Sequence, residues 1–284
     1  MGPIITVILW IVAIALLILS AVIALALITF LVYVFILVKP PKKIKPAPSL
    51  IRDYAHRGLH GNGVPENSLA AFELACQRGD GIELDVQLSR DGVVMVFHDY
   101  TLIRMTGVDK KLCELDAAEL TEISLAGTDQ KIPTFADVLA LVNGRVPLLV
   151  ELKGESFDVS LCKKVADMLL EYNGEYCIES FNPLLIKEIK KYLPDAFRGQ
   201  LFTNVCRDKG KITLLNVAIS LMAFNFLSKP DFIAYNQADR DSMPVNLTTK
   251  FYRAPSFVWT TRGKTEIDKA HKLGEHPIYE LSDK

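Results

Sequence analysis

Gly81-Ile82-Glu83-Leu84-Asp85-Val86-Gln87-Leu88 alternates apolar and polar side chains with a period of two. That period is a strand's, so Glu83 and Asp85 share one face while Ile82 and Leu84 take the other. Ser89-Arg90-Asp91-Gly92 follows and is too short for a crossover helix. The next apolar run, 93–98, is therefore expected to return antiparallel as a hairpin. A hairpin carries the chain away after Asp85 and delivers His98, with Asp99 beside it, back to the same end.

Outward from this hairpin, strand-like and helix-like segments alternate. Residues 53–56 read as a short strand ending in His56-Arg57-Gly58. A helix follows, with Asn67 or Ser68 as N-cap and Leu69, Phe72 and Cys76 at helical spacing. Thr134-Phe135-Ala136-Asp137 has the form of a capping box opening a helix through Val142. Strands are predicted at 147–153, Tyr176–Ser180, Phe197–Phe202, 231–235, 257–260 and 276–279, with helices at 161–171 and Pro183–Tyr192. This alternation implies a parallel sheet with flanking helices, the α/β class. The acidic strand ends must converge on one site, which favours a closed β/α barrel of the TIM type over an open sheet. The apolar stretch 212–227 is expected to be a barrel helix with a buried inner face, the alternative being a segment lying along a membrane surface.

The charge distribution divides the chain. All 32 Lys+Arg and all 33 Asp+Glu lie beyond residue 38. As a helix, the apolar run 4–38 would be about 50 Å long, at roughly 1.5 Å per residue. A bilayer core is roughly 30 Å. The run is too long for a cleaved signal peptide and no basic residue precedes it. Residues 1–38 are therefore read as one transmembrane helix, 39–50 as a Pro/Lys-rich linker and 51–284 as the barrel. Lys39, Lys42, Lys43 and Lys45 follow the run, which favours a cytoplasmic barrel on a single-pass cell-membrane anchor and suits contact with anionic headgroups. Five cysteines without CxxC spacing argue against a disulfide framework or a zinc site. A net charge of −1 gives no sign of a nucleic-acid partner.

Two carboxylates on one strand face repel unless a cation sits between them. Glu83 and Asp85, joined by Glu151 from 147–153, are the candidate metal ligands, and hard ions such as Mg2+ or Ca2+ take oxygen donors of this kind. Arg57 and Lys153 would balance phosphate oxygens. His56 and His98 bracket the carboxylates and have the pKa range of a general acid and base. One divalent ion and two proton carriers are what cleavage of a phosphate ester requires. Phe181, Tyr235 and Trp259 are candidates for an apolar wall beside the substrate. Asp99 is given no catalytic role, and His60, His271 and His276 are read as surface or loop residues.

Taken together, His56-Arg57-Gly58, Pro65-Glu66-Asn67-Ser68, Glu83-Leu84-Asp85-Val86, Asp91-Gly92, His98-Asp99, Ile132-Pro133-Thr134, Glu151-Leu152-Lys153 and Ser180-Phe181 resemble the signature of the glycerophosphodiester phosphodiesterase family. The resemblance spans roughly residues 53–260. It implies a TIM-type barrel with an inserted segment at about 100–131. It also implies a divalent ion at Glu83, Asp85 and Glu151, acid/base histidines at 56 and 98, and Arg57 and Lys153 near the phosphate. The implied reaction converts a glycerophosphodiester and water to glycerol 3-phosphate and an alcohol. A lysophospholipid substrate cleaved in the phospholipase D sense is the alternative, and a non-catalytic membrane-bound binding module is a third. The chain departs from the family after Trp259-Thr260, which leads into Thr261-Arg262-Gly263. It departs again at its last strand, where Gly274-Glu275-His276-Pro277-Ile278-Tyr279 lacks the family's aspartate motif.

Overall fold

The computed structural model describes residues 2–40, 46–154 and 157–281. Lys42, Lys43 and Lys45, which the sequence reading sets at the membrane flank, lie outside the described residues. Among the described residues nine strands form: β1 Tyr54–Ala55, β2 Gly81–Leu88, β3 Val94–Val96, β4 Leu148–Leu152, β5 Tyr176–Ser180, β6 Phe197–Phe202, β7 Phe232–Asn236, β8 Ser256–Arg262 and β9 His276–Glu280. Eight are parallel and close in the order β1-β2-β4-β5-β6-β7-β8-β9, with β9 pairing β1 through Tyr54–Ile278 and Ala55–Tyr279. This is a TIM barrel. β3 is the exception, running antiparallel against the upper half of β2, as the short turn requires.

Alternation along the strands sorts side chains inside and out. The outward set, including Ile82, Leu84, Val86, Val150 and Ile178, packs against Phe72, Phe135, Val165, Leu185 and Ile189 of the surrounding helices. The inward set forms two layers. Leu50, Tyr54, Leu149, Cys177, Phe197, Phe232, Phe257 and Ile278 make an apolar floor toward the strand N-termini. Charged groups occupy the level above it. The inserted segment builds a small core of its own, with Leu102, Leu112, Leu120, Leu125 and Ile132 around Met95 and Phe97.

The helix Pro3–Val32 buries none of its residues against the barrel, and a π turn, Tyr33–Leu37, continues it. It is long and apolar enough to cross a membrane. Its end is docked: Tyr33, Val34 and Val38 are buried with Met222, Val245 and Ala254. Tyr33 Oη donates to Leu221 O at 3.0 Å, Tyr252 Oη to Val34 O at 2.7 Å and Asn225 Nδ2 to Val38 O at 3.2 Å.

The structure corrects one element. Residues 212–227 do not form a barrel helix with a buried face. They break into helix Leu214–Ser220, which buries no residue, and Asn225–Ser228, with Met222 in the left-handed backbone region between them. Thr213, Asn216 and Ser220 fall at helical spacing, but the face opposite them is not buried in helix Leu214–Ser220. The run's apolar side chains divide instead between the docked helix end, which takes Leu221 and Met222, and the open surface, which keeps Ile212, Leu214 and Leu215.

Candidate active site

β1 stops after two residues because Arg57 and Gly58 turn into left-handed backbone, at φ 55° and 78°. Only glycine suits position 58, since a Cβ there would lie 2.9 Å from Ala71. The edge of β2 that β1 leaves is taken up by β3 from the opposite direction, and Phe97 N donates to Asp85 O at 3.0 Å. His56 and His98 thus end two opposed strands on one edge of β2, bracketing Glu83 and Asp85.

The carboxylates converge as expected. One oxygen each from Glu83, Asp85 and Glu151 lies within 4.8 Å of the others, and all three residues are buried. Lys153 Nζ sits among them, 2.9 Å from Asp85 and 2.7 Å from Glu151. Arg57 donates its backbone N–H to Glu83 Oε2 at 2.8 Å, and its guanidinium reaches Glu66 at 2.8 Å and Asp85 at 3.5 Å. Asn67 Nδ2 donates to Asp85 Oδ2 at 2.8 Å. Register places Glu179 of β5 opposite Glu151, adding a fourth buried carboxylate.

Each histidine is held by its own carboxylate. His56 Nδ1 lies 2.8 Å from Glu280 Oε1, leaving Nε2 4.0 Å from Glu83. His98 Nδ1 lies 2.5 Å from Asp99 Oδ1, while Arg104 holds the other Asp99 oxygen and also pairs with Glu66. Asp99, given no part by sequence reasoning, therefore orients His98. His60 also lies at this rim, 3.9 Å from Glu280, rather than apart from it. Phe181 and Trp259 meet edge-on at 5.7 Å. Phe181 is 42% exposed at the mouth. Tyr235 does not join them, because its place on β7 points outward and its hydroxyl donates to Glu275.

Residues 56–279 match the glycerophosphoryl diester phosphodiesterase family. The chain belongs to this family. It is 34% identical to the glycerophosphodiester phosphodiesterase of Caldanaerobacter subterraneus subsp. tengcongensis over 78% of this chain and 89% of that protein. The human lysophospholipase D is 32% identical over 52% of this chain and 51% of that one. The glycerophosphodiester phosphodiesterase of Thermotoga maritima aligns with a TM-score of 0.63 at 26% identity, covering 81% of this chain and 94% of that one. An Oleispira antarctica phosphodiesterase, solved with its product sn-glycerol-3-phosphate, has the same fold, with a TM-score of 0.68 at 23% identity over 81% and 93%. The protein is accordingly a phosphoric diester hydrolase.

In this family member the buried charges are unequal. Four carboxylates, Glu83, Asp85, Glu151 and Glu179, face two cations, Arg57 and Lys153. Burial, then the charge of Asp85, pushes Glu83 well above the ordinary carboxylate range. Burial also raises Glu151 to about 7, against the pull of Lys153. Glu179 rises well above its ordinary value through burial and the charges of Glu151 and Asp85. Burial would raise Asp85 too, but Lys153 and Arg57 hold it well below. Glu179 Oε2 has no hydrogen-bond donor among the described residues. An excess of negative charge on oxygen donors alone fits a hard divalent cation.

Sequence reasoning missed Glu179, Glu280, Asp99 and the Arg104–Glu66 pair. Glu179 carried a signal, since Tyr176-Cys177-Ile178-Glu179-Ser180 repeats the alternation of β2 and β4.

Proposed function

We propose that the enzyme hydrolyses glycerophosphodiesters to glycerol 3-phosphate and an alcohol, with Glu83, Asp85 and Glu151 holding Mg2+ or Ca2+ and His56 and His98 moving the protons. The observation that carries this reading is the pair of imidazoles, each oriented by its own carboxylate, on either side of three converging acidic side chains. A bound divalent ion would polarise the phosphoryl group and offset its charge.

The chain's own groups supply the rest. With Nδ1 engaged by Glu280, His56 presents Nε2 toward the carboxylate cluster. With Nδ1 engaged by Asp99, His98 likewise keeps Nε2 for the substrate. One imidazole accepts the proton of the attacking hydroxyl and the other donates to the departing alcohol. Burial lowers both histidines from their ordinary value, which favours the neutral form that the accepting imidazole needs. Against burial, the charge of Asp85 keeps Arg57 and Lys153 charged, and both would balance phosphate oxygens. Phe181 and Trp259 would line the side of the alcohol or lipid tail.

The helix Pro3–Leu37 anchors the barrel by a single pass in the cell membrane, with Lys39 and its neighbours favouring the cytoplasmic side. The test is hydrolysis of glycerophosphocholine with and without EDTA, followed by add-back of Mg2+ or Ca2+. Full activity in chelator would defeat the metal assignment. A lysophospholipid is the second reading, favoured by the exposed Ile212, Leu214 and Leu215.

A further inference from the structure

Residues 209–215 are an apolar feature of the barrel surface that the catalytic arrangement leaves without a role. They follow β6, and parallel strands put all their C-terminal ends on one side, so the segment belongs to the rim that carries the histidines. The chain leading into it is held at that rim: Asn204 N donates to Asp239 Oδ2 at 3.0 Å, and Arg207 pairs with Asp239 at 2.5 Å, just beyond β7. Ile212 is 85% exposed, Leu214 88% and Leu215 58%. Lys209 and Lys211 precede them, both exposed, and neither enters an ion pair among the described residues.

The docked helix gives the direction of the membrane. From Leu214 the chain runs away from the rim, past Leu221 and Asn225, to the start of β7 at the floor. The N-terminal helix runs alongside in the same sense, Tyr33 meeting Leu221 and Val38 meeting Asn225, before the chain reaches Leu50 in the floor. Its uncharged part, before Tyr33, therefore leaves the barrel toward the rim, on the side of Leu214.

We propose that 209–215 is a second membrane contact and that the catalytic mouth faces the bilayer the helix enters. Ile212, Leu214 and Leu215 enter the boundary between headgroups and acyl chains, and Lys209 and Lys211 meet lipid phosphates. The occupant is the bilayer because the exposed side chains lie on the side toward which an uncharged, membrane-length helix departs. The inference builds on the anchored phosphodiesterase reading and adds to it that substrate is drawn from the adjoining leaflet.

The full chain is tested in vesicles of phosphatidylcholine and phosphatidylglycerol with brominated acyl chains. Trp10→Phe removes the indole of the helix, and this parent gives the background. In it, Leu214→Trp should show blue-shifted emission quenched at least twofold by bromine. Leu170→Trp, also exposed but ending a helix at the floor, should not. Absence of quenching at 214, or equal quenching at both, overturns the proposal. The triple variant Ile212→Asp, Leu214→Asp, Leu215→Asp should hydrolyse soluble glycerophosphocholine within twofold of the parent, yet lysophosphatidylcholine in the same vesicles about tenfold more slowly. An equal change on both substrates overturns it. If the parent cleaves neither, the hydrolytic reading falls and quenching alone decides the surface.

Discussion

His56 Nδ1 stands 2.8 Å from Glu280 Oε1, so the first strand of the barrel is tied to the last across the seam where the sheet closes. Arg262 of β8 holds the second Glu280 oxygen at 2.8 Å. One carboxylate thus orients a proposed proton carrier and links three strands. It stands at the end of β9.

Glu280→Gln should lower kcat by about 10- to 100-fold with KM little changed, because a misaimed imidazole costs rate more than binding. The same variant reports on acid stability. Burial would raise Glu280, but His56 and Arg262 hold it at about 2, below the usual 4.5. A carboxylate with a lowered folded pKa stabilises fully above its unfolded pKa and loses that contribution as pH falls through the folded one. Melting followed by circular dichroism should show a gap between parent and variant that narrows from about pH 4.5 to about pH 2. A constant gap would exclude this role.

His56→Ala and His98→Ala should each reduce kcat by roughly 10²–10⁴-fold if they transfer protons. Burial is the leading cause that lowers both. The neutral base is lost only when pH drops through the folded pKa, so the acid limb of kcat/KM should fall below 6.5, the ordinary histidine value. A limb at or above pH 7 would point to another base.

Chelation should lower stability as well as rate. Four buried carboxylates share two cations, and a bound divalent ion supplies the missing charge. Binding to the folded state alone adds about 2.7 kcal/mol at a ligand concentration of 100 Kd. Thermal melts in EDTA and in millimolar Mg2+ or Ca2+ should therefore differ by several degrees, and Glu83→Gln should shrink that difference. Identical melts would weigh against an ion at Glu83, Asp85 and Glu151.

The parts legible in the sequence were those in which local pattern and tertiary role agree. Gly81–Leu88 is a strand over the bounds its alternation gave, because its outward face meets helices and its inward face meets charge. Thr134 caps its helix as its spacing with Asp137 required. Glu280 was hidden because nothing local marks it; its meaning comes from a partner 224 positions away. Residues 212–227 misled because high hydrophobicity records affinity for apolar surroundings without saying which surroundings. Here these are divided between the docked helix end and the open rim.

The barrel floor sets a steric limit at Gly199 of β6. A Cβ there would fall 2.0 Å from Phe232 Cε2. Phe232 cannot swing aside freely, since its ring lies 4.8 Å from Phe197 and 4.9 Å from Phe257. Overpacking of a filled core costs about 1–3 kcal/mol. Gly199→Ala should therefore lower Tm by roughly 2–4 °C for each kcal/mol, as expected for a chain of this size. Phe232→Leu frees the space the new methyl needs, so Gly199→Ala placed in that background should cost far less than in the parent. Equal costs in the two backgrounds would show that the floor yields elsewhere and that Phe232 is not what keeps position 199 a glycine.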